Sequence, residues 1–189
     1  MQMSIREIIT ALHGMGWGGL VLLAFSGALV EIYRLCTPER SAPLTSVEHK
    51  RLRAYLIVMA VVAWGAVLSG AYVVYPWYRA RPTAVVTDYA EYAQRSLVAN
   101  PTTAGWHNLG MEWKEHVAWF VPIAITMVAY VFTRLGADLA KHRQVRNTVL
   151  AFTVAAFFAA GIAGTLGALI NKKAPVQGGA IVTLSGENK

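Results

Sequence analysis

The chain has 189 residues, of which 56% are hydrophobic and only 14% are charged, and its formal net charge is +7. A soluble globular domain carries about 25% charged residues, so the composition argues against that class and for a protein built for lipid. The basic residues crowd the ends of apolar segments, a pattern typical of contact with lipid headgroups and not of nucleic-acid binding. The single cysteine, Cys36, excludes an intrachain disulfide and a covalent c-type haem motif.

Four apolar segments have the length of about 20 helical residues that a bilayer core requires. The first is longer than the hydrophobic part of a signal peptide and has no convincing cleavage site, so we expect it to be retained. The sequence therefore predicts an all-α integral membrane protein, a four-helix bundle within residues 1–173 followed by a tail at 174–189. The predicted spans cover roughly residues 8–33, 54–77, 115–133 and 147–170.

The two short connectors, 34–53 and 134–146, are rich in Lys and Arg. By the positive-inside rule both should face the cytoplasm. The N-terminus, the connector 78–114 and the C-terminal tail then lie on the extracytoplasmic side of the plasma membrane. Lys172 and Lys173 favour the opposite orientation, but the connectors outweigh them.

The long outer connector and the tail differ in character. Asp88 and Glu91 have the spacing of a capping box, and Asn100-Pro101 ends the segment, so we expect a short helix along the membrane surface. The tail is rich in glycine and lacks apolar periodicity. It is therefore expected to be flexible, or ordered by a partner.

Two of the five histidines, His13 and His116, fall within or beside a predicted span and reach the same depth near the outer face. An imidazole in lipid needs a partner, and intramembrane ionisable residues are functional candidates. One haem iron with an axial imidazole from each helix would satisfy both, which predicts a single b-type haem. His107 is a reserve ligand that cannot share one iron with His116. His49 and His142 are expected to be solvated.

Residues around this pair suit a macrocycle. Gly16 belongs to a glycine cluster that permits close backbone approach, and Trp119 supplies an aromatic wall. Arg79 and Arg81 lie at the same level and could pair the haem propionates. Simpler interpretations remain open, because glycines also serve close helix packing and arginines also anchor helices at the interface.

Span number, histidines on different helices and an aromatic outer edge together resemble small four-helix membrane b-type cytochromes and the haem-bearing anchor subunits of respiratory complexes. The resemblance implies that His13 and His116 are axial ligands. It also implies quinone-linked electron transfer to other membrane or extracytoplasmic redox subunits, as part of a complex more than as a stand-alone enzyme. The chain departs from those cytochromes that carry two haems, because it offers only one pair of intramembrane histidines. The aromatic edge comprises Trp17, Trp77, Tyr78, Trp106, Trp113 and Trp119.

A second hypothesis needs no cofactor. The chain would then be a non-catalytic membrane subunit that anchors a larger assembly. Its glycine faces on the first and fourth spans would pack against neighbouring helices. A small transporter fits less well, because the sequence has no clearly broken span and no charge at mid-membrane depth.

Overall fold

A computed structural model describes residues 2–36, 44–85 and 88–183 of the chain. It confirms the all-α class and four helices that are long and apolar enough to cross a membrane. One further short α-helix, a 3-10 helix at Gly136–Lys141 and a pair of short strands complete the described elements. In chain order the α-helices and strands are β1 (Gln2–Ser4), α1 (Ile5–Cys36), α2 (Ser46–Tyr78), α3 (Ala93–Ala99), α4 (Pro101–Leu135), α5 (Arg143–Lys173) and β2 (Ile181–Thr183).

The start of α4 is the largest difference from the predicted spans, because this helix begins at Pro101 and not at residue 115. The Asn100 side chain accepts a hydrogen bond from the amide of Thr102, and Pro101 follows as the first helical residue, a favourable start for a helix. Asp88 accepts instead from the amide of Ala90 in a turn, so it does not cap the preceding helix α3. Much of the predicted outer connector is therefore helix.

The four long helices form a ring in which each packs mainly against two neighbours: α1 on α2, α2 on α4, α4 on α5, and α5 on α1. Large side chains fill the half of this ring that lies toward the basic connectors, which we call the connector end. Lipid-facing side chains such as Leu23 stay exposed. The fully buried side chains of the connector-end core include Phe25, Ile32, Leu56, Met59, Ile125, Val128, Phe132 and Val149.

The opposite end of the ring, which we call the strand end, is closed by the two terminal segments. β1 pairs antiparallel with β2, with Met3 opposite Val182. Ser4 is buried and caps α1 through its hydroxyl, which accepts from the amide of Glu7. The part of the tail that the structure describes, through Thr183, thus packs against the start of α1. A second small core of Tyr78, Ala93, Leu97, Met111, Ile170, Ala174 and Val176 packs beneath it.

Three of the long helices contain a π-helical turn, and all three turns lie toward the strand end. They occupy Leu12–Trp17 in α1, Gly70–Val74 in α2 and Trp106–Met111 in α4. Such turns are rare and are often found at functional sites. In α4 the backbone also tightens to a 3-10 turn over Val117–Trp119, because Pro122 has no amide hydrogen for the carbonyl four residues earlier.

Candidate functional site

His13 lies in the π-helical turn of α1 and packs against α2. Its Nδ1 is 2.9 Å from Oγ of Ser69, and that hydroxyl donates its own hydrogen to the carbonyl of Ala66. With the hydroxyl hydrogen directed to Ala66, Nδ1–H is the donor to Ser69, and Nε2 carries the lone pair. A methyl group on Gly70 would lie 2.7 Å from Cε1 and 3.0 Å from Nε2 of His13, so only glycine leaves room for the imidazole there.

Lys114, on α4, directs its ammonium into the same end of the ring. A methyl group on Gly167 of α5 would lie 2.7 Å from Nζ, so the ammonium rests against the backbone of that helix. The imidazole of His13 lies close enough to this ammonium for the two groups to interact electrostatically. Each of the four long helices thus contributes to this group of residues, two from α2 and one from each of the others. We call His13, Ser69, Gly70, Lys114 and Gly167 the interior site.

His116 has a different setting from His13, although it lies only two residues after Lys114. Its side chain is 71% exposed, and Nδ1 lies 3.0 Å from the backbone carbonyl of Glu112, to which it must donate. In the neutral ring Nε2 is therefore again the nitrogen with the lone pair. No hydrogen bond or ring contact within the described residues joins His116 to His13. That both bind one iron stays a prediction.

His107 belongs to a hydrogen-bonded cluster under the strand end. Its Nδ1 is 2.8 Å from the hydroxyl of Tyr78, and its Nε2 is 3.2 Å from the amide nitrogen of Gln94. The amide nitrogen can only donate, so Nδ1–H donates to Tyr78 and both ring nitrogens are engaged. His107 therefore ties α2, α3 and α4 together and has no free ligand atom.

The two predicted propionate partners behave differently. Arg79 donates to the hydroxyl of Tyr75 at 2.7 Å and lies 4.0 Å from the carboxylate of Glu115. Its charge is therefore already partly compensated within the chain. Arg81 is exposed in the segment after α2.

The other two predicted cofactor-binding residues also occupy distinct places. The nearest atom to a methyl group on Gly16 would be Cδ2 of Leu12, 4.0 Å away on the same helix, so α1 presents a smooth surface there. Trp119 packs edge-to-face with Trp64, their rings 6.2 Å apart. It contributes to the α2–α4 contact. The haem-wall role of both residues stays a prediction.

His49, at the connector end, is less solvated than the sequence suggests. Its ring stacks on Phe132 at 5.1 Å, and its buried Nε2 has no hydrogen-bond partner among the described residues. Gly136 lies beside it with a positive φ of 49°, and a methyl group there would lie 2.7 Å from Nε2. Glycine is thus required at this position both for backbone conformation and for space.

Within residues 2–36, 44–85 and 88–183, no three His, Cys, Asp or Glu side chains cluster closely enough to hold a metal ion by themselves. Comparisons with protein-family models, with curated proteins and with solved structures find no match for the chain. The chemistry of the site must therefore be argued from its own residues.

Lys114 is the site residue that the sequence reasoning missed, although a signal was present. It follows buried Met111 by three residues and precedes buried Val121 by seven, so helical spacing puts it on the inward face of α4. His116 instead shares a seven-residue spacing with Leu109, Ile123 and Tyr130, which are 69%, 57% and 63% exposed. The same pattern that turns Lys114 inward turns His116 outward.

Proposed function

We propose that the chain is an electron-transfer subunit of a membrane redox assembly and binds one b-type haem at the strand end. His13 and His116 are the proposed axial ligands. The strand end is proposed to face the extracytoplasmic side of the plasma membrane, where a redox partner would exchange electrons with the quinone pool through this subunit. When bound, haem would supply the one-electron chemistry.

The observation that carries this proposal is the state of the two imidazoles. Both donate Nδ1–H to a fixed acceptor, the hydroxyl of Ser69 for His13 and the carbonyl of Glu112 for His116. Both therefore keep the Nε2 lone pair, the arrangement that protein hydrogen bonds impose on metal-ligating histidines. His107 has no such nitrogen, because hydrogen bonds engage both of its ring atoms.

The residues fit haem in their chemistry and require movement to fit it in position. Nε2 of His13 faces the backbone of Gly70, and the imidazole of His116 lies on the exposed side of α4. Joining both on one iron requires His13 to turn away from Gly70 and α4 to rotate. The irregular backbone around both residues, π-helical at His13 and 3-10 just after His116, makes this end of the bundle the easier one to rearrange.

Visible spectroscopy of the purified chain, supplied with haem during expression, tests the proposal. We expect a Soret band and, after dithionite reduction, the sharp α-band of a low-spin haem. His13→Ala and His116→Ala should each abolish or convert that spectrum, whereas His142→Ala, at an exposed position, should leave it unchanged. Folded protein without a Soret band, or a wild-type spectrum in both ligand variants, contradicts the proposal.

The proposed orientation has its own test, since Cys36 is the only cysteine. In a Cys36→Ser background, Val85→Cys places a thiol at a fully exposed position near the strand end, and Lys141→Cys places one near the connector end. A membrane-impermeant maleimide added to intact cells should label Cys at position 85 only. Labelling at position 141 alone would invert the topology.

The second candidate, an anchoring subunit without haem, is favoured by a lipid-facing groove on α5. Its empty space is about 300 Å³ and its lining is almost entirely apolar, as expected where a neighbouring helix packs. Failure of the haem test, together with loss of a co-purifying membrane partner in Gly161→Leu, would favour this function. The groove is lined by Phe157, Phe158, Gly161, Ile162, Thr165 and Leu166.

A further inference from the structure

The ammonium of Lys114 lies between helices at the strand end without a compensating charge. Its side chain is half-buried and Nζ rests against the backbone of Gly167, and no hydrogen bond or ion pair joins Nζ to another residue in the part of the chain that the structure describes. The neighbouring Glu115 points instead toward Arg79, at 4.0 Å. An ammonium without a partner at membrane depth is costly, so an intramembrane lysine is a candidate for binding a ligand.

Glycines and apolar side chains surround the polar groups of the interior site. Gly167 lies against Nζ of Lys114 and Gly70 lies against the imidazole of His13, and neither position tolerates a methyl group without displacing the polar side chain beside it. Ile170 and Leu166 pack against Gly110 one turn before Lys114, so the neighbouring surface is apolar. A single positive charge in such a setting is best balanced by a single negative charge on a compact, planar group.

We propose that Lys114, at the centre of the interior site, binds the carboxylate of an amphiphilic ligand whose apolar part lies in the membrane. The ammonium donates to the carboxylate oxygens, and the glycines at 70 and 167 leave room for the imidazole of His13 and for Nζ of Lys114. Two sources share this chemistry, a fatty acid and a haem propionate. The propionate source rests on the proposed function, whereas the fatty-acid source is independent of it.

The fatty-acid source is tested with the full-length chain in detergent micelles at neutral pH. The probe is 5-doxylstearate, whose nitroxide quenches the nearby tryptophans Trp17 and Trp113, and its methyl ester is the uncharged control. We expect saturable quenching by the acid and an apparent affinity at least tenfold lower for the ester. Equal quenching curves for acid and ester would overturn this source.

Variants separate a binding lysine from a structural one. Lys114→Met keeps the length of the side chain and removes the charge, so the preference for the acid should disappear, while Lys114→Arg should retain most of it. Lys172→Met, an exposed lysine at the same end, is the matched control and should behave as wild type. Should Lys114→Met not fold, Gly167→Ala, which crowds Nζ, should still weaken binding several-fold. Unchanged binding in the folded variant would contradict the proposal.

The haem source is tested by reconstitution with haem and with haem dimethyl ester. If the propionate pairs with Lys114, the diester should bind at least tenfold more weakly to wild type, and the difference should vanish in Lys114→Met. If neither esterification of haem nor Lys114→Met alters haem binding, the propionate source is rejected while the proposed function is left intact. If the chain binds no haem but keeps a charge-selective fatty-acid site, the proposed function is rejected and the fatty-acid source stands. Failure of both sources would show that Lys114 only extends toward the membrane surface.

Discussion

The two ends of the bundle are built on different principles. At the connector end the helices are regular and meet through large apolar side chains such as Phe25, Leu56 and Phe132, each with at most 1% of its surface exposed. At the strand end three helices contain π-helical turns, glycines replace large side chains, and polar groups occupy the interior. Tight apolar packing specifies one arrangement, whereas irregular backbone around polar groups leaves room for a ligand. Stability is therefore expected mainly from the connector end, and the proposed binding from the strand end.

The largest effect should come from removing a buried ring at the connector end. Phe132→Ala should lower the free energy of unfolding by about 3 kcal/mol, because lipid cannot refill the cavity and the packing contacts are lost. Phe158→Ala is the matched control, since that ring is 61% exposed, and it should change little. Reversible unfolding in mixed micelles measures both. Equal losses would mean that the connector end is not the stable part.

A smaller effect is expected from a single methyl group at the strand end. Gly70→Ala should destabilise by about 2 kcal/mol, because the new carbon would lie 2.7 Å from the imidazole of His13 and force it to move. Gly14→Ala lies in the π-helical turn of α1, and its methyl group would meet no side chain and no other helix within 4 Å. It should therefore be neutral or slightly stabilising. The same unfolding assay distinguishes them. A neutral Gly70→Ala would show that His13 is not held against α2.

The hydrogen-bonded cluster around His107 should contribute less again. Tyr78→Phe leaves Nδ1–H of His107 without its acceptor and should cost about 1 kcal/mol. It should also increase amide hydrogen exchange in α3, whose Gln94 depends on the same ring. Tyr72→Phe, at a residue 72% exposed, serves as the control. Unaltered amide hydrogen exchange in α3 would show that this helix is not stabilised by the hydrogen-bonded cluster around His107.

The smallest effect concerns the exposed ion pair after α4. Lys141 donates to Asp138 at 2.6 Å, which lowers the pKa of the Asp138 carboxyl and raises the pKa of the Lys141 ammonium. The carboxylate's contribution to stability is present above its unfolded pKa and is lost as the pH falls through the lowered folded value. Asp138→Asn should therefore differ slightly from wild type at neutral pH and converge with it in acid. A constant difference across that range would rule out this pair as its cause.

The four long helices were predictable because a bilayer requires each span to be long and mainly apolar, and a few polar residues do not hide that pattern. The beginning of α4 was not, because Trp106, His107 and Lys114 interrupt its apolar pattern while Asn100 and Pro101, interpreted as the end of one helix, begin the next. The interior site was half predictable. His13 was found because histidine is rare in lipid, whereas the inward turn of Lys114 follows only from the helix in which it lies.

The pairing of β1 with β2 has a consequence for how the protein is made. The segment from Gln2 to Ser4 emerges from the ribosome before the four long helices, and the strand it pairs with, Ile181 to Thr183, emerges after them. The contact of α1 with α5 must likewise wait for the last of these helices. The interior site, which combines residues of all four long helices, can therefore assemble only after α5 has been made.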